Sequence, residues 1–234
     1  MKITLFIWRI RTRFIPVAFL RMSLDRIYLR SVPGLTFYKL LGTGKGETFT
    51  PRDADLWQWG LLAVGDEFAI DKVKNSKIVQ RWQVRSTESA IFDLENLSSH
   101  GKWAKREPFL SSHSPAQTTS EPLAIAAITR ARIKWRKNLI FWRAVPPVIT
   151  ALDNAPGLIA AIGIGEAPIG LQGTFSIWRD GKSLRDFAYK SVAHNRAIEA
   201  TKEIGWYSEE LFARFAVVAA SGSINGITIG NTAD

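Results

Sequence analysis

The chain has no cysteine in its 234 residues. That absence removes disulfides, thiolate metal sites, iron–sulfur clusters and cysteine nucleophiles together, so any metal must be held by histidine, carboxylate or tyrosine. Histidine is scarce as well, with only His100, His113 and His194. Long hydrophobic runs are missing: the longest, such as Leu123–Ile128 and Leu158–Ile164, fall far short of the roughly 18–20 residues of a membrane-spanning helix. Met1–Leu20 interleaves Lys2, Arg9, Arg11 and Arg13 with apolar residues and has no hydrophobic core or small-residue cleavage site of a signal peptide. It reads as a first strand and helix start, with an interfacial anchor as the lesser alternative. The expected location is the cytoplasm, free or peripheral on a membrane.

Acidic charge is in deficit: 21 Asp and Glu face 31 Lys and Arg, for a net charge of +10. Such an excess fits an acidic partner, whether nucleic acid, anionic lipid or a redox protein, and charge alone does not choose. No nucleic-acid recognition motif accompanies it, so nucleic acid is not expected, and an electron donor or membrane surface ranks higher. Nine tryptophans and 11% aromatic residues suit an extended apolar cavity or an interface, although a large core explains many of them.

Neither disorder nor a fibre fits this composition, and the length suits one large domain or two small ones. Ile3–Ile10 is β-branched and aromatic and reads as a strand. Arg13–Arg30 has helical spacing, Leu35–Leu41 and Leu56–Val64 read as strands around the loop GTGKGETFTPRD, Glu67–Val84 as one helix capped by Asp66, and Ser89–Asn96 as a strand. This β-α-β-β-α-β order is that of a ferredoxin-like unit. Lys105–Pro122, rich in Ser, Thr and Pro, reads as a linker. The order then repeats: strand Leu123–Ile133, helix Asn138–Ala151 interrupted at Pro146-Pro147, strands Leu158–Ile164 and Phe175–Trp178, a long helix from Asp180 to about Ile204, and strand Leu211–Ala219.

A shift of 123 positions sets Arg9 on Arg132, Ile10 on Ile133, Pro33 on Pro156, Gly34 on Gly157 and Leu35 on Leu158, and after a shorter hairpin Asp66 meets Asp180 at 114. The expected fold class is therefore α+β: two tandem ferredoxin-like βαββαβ repeats whose sheets form an α+β barrel within one chain. Its expected layout is a first repeat at 1–104, a linker at 105–122, a second repeat at 123–220 and a tail at 221–234. The same alignment puts the basic runs Arg9, Arg11, Arg13 and Arg130, Arg132, Lys134, Arg136, Lys137 at equivalent ends of the two sheets, as one positive rim or a merely solvated surface.

In the long helix, Leu184, Phe187, Ala188, Ser191, Asn195 and Ile198 form one stripe with His194 at its edge. A neutral imidazole there is a competent axial ligand for haem, yet spacing alone favours a boundary histidine bonded to backbone. The 114 offset sets His194 against Gln80, so the repeat does not itself require a histidine, and one cofactor per chain is expected. His100 and His113 lie in Ser-rich, turn-like sequence and read as solvated. Gly42-Thr43-Gly44-Lys45-Gly46 lacks phosphate-loop spacing, and Gly163-Ile164-Gly165-Glu166 reads as a close backbone approach or a strand-end bulge.

Four segments, FYKLLGTGKGETFTPRDAD, IGIGEAPIGLQGTFSIWRD, FAYKSVAHNRAI and GWYSEELFARF, together resemble the spheroidene monooxygenase family of acyclic-carotenoid oxygenases, in that family's order from about Ile3 to Phe215. The resemblance implies a haem (iron) enzyme that uses O2 and electrons from ferredoxin to oxidise C2 of an acyclic carotenoid, two hydroxylations at one carbon giving a ketone. By its placement on the long helix, His194 in FAYKSVAHNRAI is the expected metal ligand of such a haem, and Trp178, Arg179, Phe187 and Tyr189 are the expected residues to pack around the cofactor or meet its propionates. A cofactor-free monooxygenase on the same barrel, or a carotenoid- or lipid-binding protein without turnover, are the competing readings.

Overall fold

Alternation along the strands decides the architecture. In β1 (Lys2–Ile10), Ile3, Leu5 and Ile7 enter one apolar core while Phe6, Trp8 and Ile10 enter another, so both faces of this strand are covered. The computed structural model describes residues 1–44, 50–109, 124–166, 173–190 and 204–229. After β1 come α1 (Ile15–Arg30), β2 (Leu35–Gly44), β3 (Ala54–Gly65), α2 (Glu67–Lys74), α3 (Lys77–Arg85) and β4 (Ser86–Gly101). The second half runs β5 (Ala124–Ile133), α4 (Asn138–Asp153), β6 (Leu158–Gly165), β7 (Gly173–Trp178), α5 (Gly181–Lys190), β8 (Tyr207–Ile224) and β9 (Ile227–Thr228).

The fold is mixed α+β, built on one large antiparallel sheet in the order β4-β1-β3-β2-β6-β7-β5-β8, with β9 hairpinned onto β8. Because β4 also pairs with β8, the sheet closes into a barrel and removes its own edges. Its interior is packed with side chains, among them Phe92 against Phe175 at 5.4 Å and Phe109 edge-on to Phe215 at 4.9 Å. α1, α2 and α3 cover the outside of the first half of the sheet, over Phe6, Trp8, Trp59 and Leu61; α4 and α5 cover the outside of the second.

Register irregularities recur along the chain. β2 slips against β3 between Leu35 and Phe37, and β6 against β7 between Leu158 and Ala160. β1 slips against β4 between Arg9 and Ile10, and β5 against β8 between Arg132 and Ile133. In both cases the second irregularity stands 123 positions after the first.

Several elements differ from the sequence reading. The helix expected over Glu67–Val84 is two, broken at Asn75-Ser76, where the Ser76 hydroxyl caps α3 by accepting from the Val79 amide at 3.3 Å. α4 continues through Pro146 and Pro147, since packing of Val145, Ile149 and Leu152 outweighs the missing amides. Gly42-Thr43-Gly44 is strand, not loop: it meets Gly163–Gly165 in the β2–β6 seam, Gly42 opposite Gly165 and Gly44 opposite Gly163. β4 and β8 reach 16 and 18 residues because they pair with each other as well as with β1 and β5. Residues 221–229, read as tail, form the end of β8 and β9, with Ile224 buried in the barrel core. Phe109, inside the segment read as linker, is fully buried.

The single positive rim is also overturned. β1 is antiparallel to β4, β4 to β8 and β8 to β5, so β1 and β5 run in opposite directions and their basic C-terminal ends leave by opposite ends of the barrel. Arg9 is engaged by Asp55 at 2.8 Å, and Arg130 is buried.

Candidate active site

The outer faces of the two halves fill differently. On the first, Phe6 and Trp8 stack at 5.5 Å, Trp8 stacks on Trp82 at 5.4 Å, and Trp59 closes the layer. The positions 123 residues further on hold Thr129 and Ala131, and across from β5, Thr174 pairs with Thr129 and Ser176 with Ala127. These short side chains leave a cavity of about 1050 Å³ between the sheet, α4 and α5, at the upper end of the roughly 300–1,000 Å³ common for ligand pockets. Phe141, Val145, Val148, Ile149 and Leu152 of α4 form one wall, and Leu184, Arg185, Phe187, Ala188 and Tyr189 of α5 another. Ser98, Ser99, His100, Arg214 and the stretch Gly205–Glu210 complete the lining.

Three of the residues singled out from sequence come together here. Trp178 is fully buried at the cavity wall, its indole N–H donating to the Ser176 hydroxyl at 2.9 Å, and its ring lies 5.4 Å from that of Phe187. Tyr189 stands at the border, 74% exposed. Arg179 is exposed, precedes α5 and donates its backbone amide to the Gly157 carbonyl; the described arginines that line the cavity are Arg185 and Arg214. His194 and His113 lie outside the described residues. Gln80, set against His194 by the sequence offset, is exposed on α3 and donates to the Asn75 carbonyl at 3.2 Å. His100, read as solvated, is exposed and borders the cavity. Among the described residues no three His, Asp or Glu side chains are grouped to hold a metal ion.

Asp180 caps α5 by accepting from the Ser183 amide at 2.7 Å, and this bond holds its carboxyl below the usual range. Cap and helix direction together bring Leu184 and Phe187 over the cavity floor.

One side of the cavity floor leads into a partly buried ion cluster centred on the buried Arg130. Arg130, with only 3% of its side chain exposed, donates from Nη1 to Glu209 at 2.6 Å and from Nη2 to Glu166 at 2.7 Å. Glu166 also accepts from Lys39 and from the Trp103 indole, and the Arg130 guanidinium lies 5.2 Å from the Trp103 ring centre. Glu209 takes the amides of Ala104 and Lys105 at 3.0 and 2.7 Å. Both of those residues hold positive φ, 54° and 63°, a strained backbone form that points successive N–H groups at one anion. Burial pushes the Glu166 carboxyl up, but the Lys39 bond, the Lys39 and Arg130 charges and the Trp103 bond outweigh it, and the pKa falls below 4.5. Glu209 behaves alike: burial raises it, while the Lys105 amide, Arg130 and the Ala104 amide bring it below 4.5. Lys39 and Trp103 come from the first half of the chain and Arg130, Glu166 and Glu209 from the second, so the cluster ties the halves together beside the cavity.

No protein-family model matches the chain. It is 37% identical over 218 residues to the spheroidene monooxygenase of Rhodobacter capsulatus, covering 92% of this chain and 89% of that protein. The spheroidene monooxygenase of Cereibacter sphaeroides is 35% identical over 210 residues, covering 88% of this chain and 63% of that one. The chain belongs to the spheroidene monooxygenase family. Among solved structures, an aldoxime dehydratase in complex with butyraldoxime matches with a TM-score of 0.54 and 13% identity, over 92% of this chain and 79% of that one, which shows a shared fold.

For this family member, sequence reading found the α5 side of the cavity and missed both its floor and the ion cluster. The floor has a signal in principle: at the 123 offset AITRARI (127–133) stands against TLFIWRI (4–10), with Thr129 and Ala131 at the positions of Phe6 and Trp8. Arg130 follows Ala126 and Ile128 at the strand's period of two, which puts it inward. Glu166 and Glu209 carry no local signal, since only chain closure brings them to Arg130.

Proposed function

We propose that this chain oxidises C2 of an acyclic carotenoid with O2, using haem as its cofactor and a ferredoxin-type protein as electron donor. The observation that carries the reading is the large, mostly apolar cavity, built on one half of the barrel in a chain of this family. A rod-like polyene and a flat macrocycle both need such a volume, and Trp178 with Phe187 offers an aromatic wall.

The cavity residues fit haem in chemistry as well as size: apolar side chains face its faces, and Arg185 and Arg214 are cations at the lining for its carboxylates. His194 is the proposed iron ligand. Residue 190 precedes and residue 204 follows the segment that carries it, and the nearby Tyr189 and Gly205 both line the cavity. When bound, haem supplies the activation of O2, and the protein supplies ligation, access and orientation. Val145, Val148, Ile149 and Leu152 keep water from the hydrocarbon and hold its end group in place. Each hydroxylation consumes one O2, two electrons and two protons and releases one water. A second hydroxylation at the same carbon gives a geminal diol, which loses water to the ketone.

The proposed origin of this site is a pair of tandem ferredoxin-like repeats, 1–104 and 123–220, of which only the second has opened its helix–sheet layer. Support comes from the paired register slips at Leu35 and Leu158 and at Arg9 and Arg132.

Two experiments test the function. Purified protein supplied with haem should take up one equivalent per chain with a Soret band, and His194→Ala should abolish or strongly weaken that band. Absence of the band overturns haem dependence, and a band untouched by His194→Ala overturns the ligand assignment. Expression in cells that make lycopene or neurosporene should yield oxygenated carotenoid; carotenoid that co-purifies unchanged would instead establish a binding protein.

A further inference from the structure

The barrel has one face on which exposed apolar side chains and basic charge coincide. α1 packs over β2, α4 packs over β6, and β2 pairs with β6, so the two helices flank one seam. α1 turns Ala18, Met22, Asp25 and Leu29 inward and leaves Leu20 (57% exposed), Leu24 and Ile27 (69% exposed) in solvent at positions i, i+4 and i+7, a continuous apolar stripe. α4 leaves Ile140 (45% exposed), Pro146 and Pro147 outward. Single exposed hydrophobics are ordinary on a protein surface; a stripe of them with a strong basic excess is not.

The charge is strongly biased. Residues 11–33 and 131–153 hold ten basic residues and two carboxylates, Asp25 and Asp153, the latter exposed at the C-terminal end of α4. Asp25 is buried, paired with Arg21 and accepting from the Trp82 indole at 3.1 Å, so it adds no negative charge to the surface. Of the chain's 31 basic and 21 acidic residues, 21 and 19 are left for all the rest. Most of the net charge, +8 of +10, therefore belongs to the two segments that build this face. The basic residues that sequence reading gathered into a rim instead bracket it, Arg11 and Arg13 leading into α1 and Lys134, Arg136 and Lys137 into α4.

We infer that the α1–α4 face docks on an anionic lipid bilayer, the apolar side chains entering the acyl boundary and the lysines and arginines meeting phosphate headgroups. An acidic redox protein would answer the charge but leave the apolar stripe wet; a bilayer answers both. α4 also forms a wall of the cavity, so docking sets the cavity beside the phase in which a carotenoid dissolves. That purpose rests on the proposed function; the docking itself does not.

Co-sedimentation of the purified full chain with vesicles tests it. Binding is expected to vesicles containing phosphatidylglycerol and not to phosphatidylcholine alone, and to fall as salt shortens the Debye length from about 10 Å at 0.1 M to about 3 Å at 1 M. Leu20→Glu, Ile27→Glu and Ile140→Glu should each weaken it by about tenfold, while Phe68→Glu, equally exposed but on α2, should leave it unchanged. Lack of binding to anionic vesicles overturns the inference, as does binding that the three variants do not weaken. A concentration-dependent dimer, seen by light scattering without lipid and lost in the same variants, would give the face to a second copy and overturn it too. Because neither haem nor carotenoid is present, vesicle binding by a chain that fails to oxidise carotenoid keeps the docking and sinks the proposed function, and the converse result does the reverse.

Discussion

Arg130→Met isolates the cluster that joins the halves of the barrel. The change keeps an unbranched apolar stem and removes a guanidinium with 3% of its side chain exposed, so that Glu166 and Glu209 lose their bonds at 2.7 and 2.6 Å. Removing one partner of a buried ion pair costs about 3–5 kcal/mol. The lower end applies, because Glu166 keeps Lys39 and Trp103 and Glu209 keeps the Ala104 and Lys105 amides. A loss of about 3 kcal/mol corresponds to a fall in Tm of about 6–12 °C for a domain of this size. Both carboxyls have folded pKa values below 4.5, so the stability they contribute is complete above 4.5 and is lost as pH falls through the folded values. The difference between wild type and variant should therefore be largest near neutral pH and shrink below 4.5, where protonated carboxyls no longer reward the arginine. Urea unfolding followed by far-UV circular dichroism at both pH values measures this. A difference under about 1 kcal/mol at neutral pH, or one that does not change with acid, would refute the assignment of this cluster as the tie between halves.

Thr129→Phe with Ala131→Trp restores to the second half the bulk that Phe6 and Trp8 give the first; haem uptake and carotenoid oxidation should both be lost while the melting temperature holds or rises, and retained uptake would show that the ligand lies elsewhere. Phe109→Ala should cost about 3–5 kcal/mol, because this ring is fully buried edge-on to Phe215; a negligible cost by urea titration would return the residue to the linker. Asp180→Ala should fray the first turn of α5 and weaken haem affinity. As its carboxyl is held below the ordinary 3.8 by the Ser183 amide, wild type should keep the helix above that value and lose the advantage as pH falls through the lowered one, which amide hydrogen exchange at residues 181–187 reads out.

Composition and periodicity were enough to determine the chemistry that is barred, most of the element order and the face of α5 that turns inward. Leu184 and Phe187 follow a helical repeat, and Ile3, Leu5 and Ile7 follow a strand repeat, so each reveals its direction within a few neighbours. Absence of cysteine needs no structure to interpret. Local pattern failed where a long-range contact changed the answer. Gly42-Thr43-Gly44 looks like a loop until Gly163–Gly165 pairs with it, and Pro146-Pro147 reads as a break until the packing of α4 holds it through. Arg130 reads as surface charge until Glu166 and Glu209 arrive from 36 and 79 residues away. The cavity is likewise a property of two layers at once, since Thr129, Ala131 and Ser176 only register as missing volume when α4 and α5 are set above them. Sequence carries what a residue does to its neighbours along the chain; closure of the barrel, which brings β4 to β8 and β2 to β6, decided which side chains were left to face an empty space.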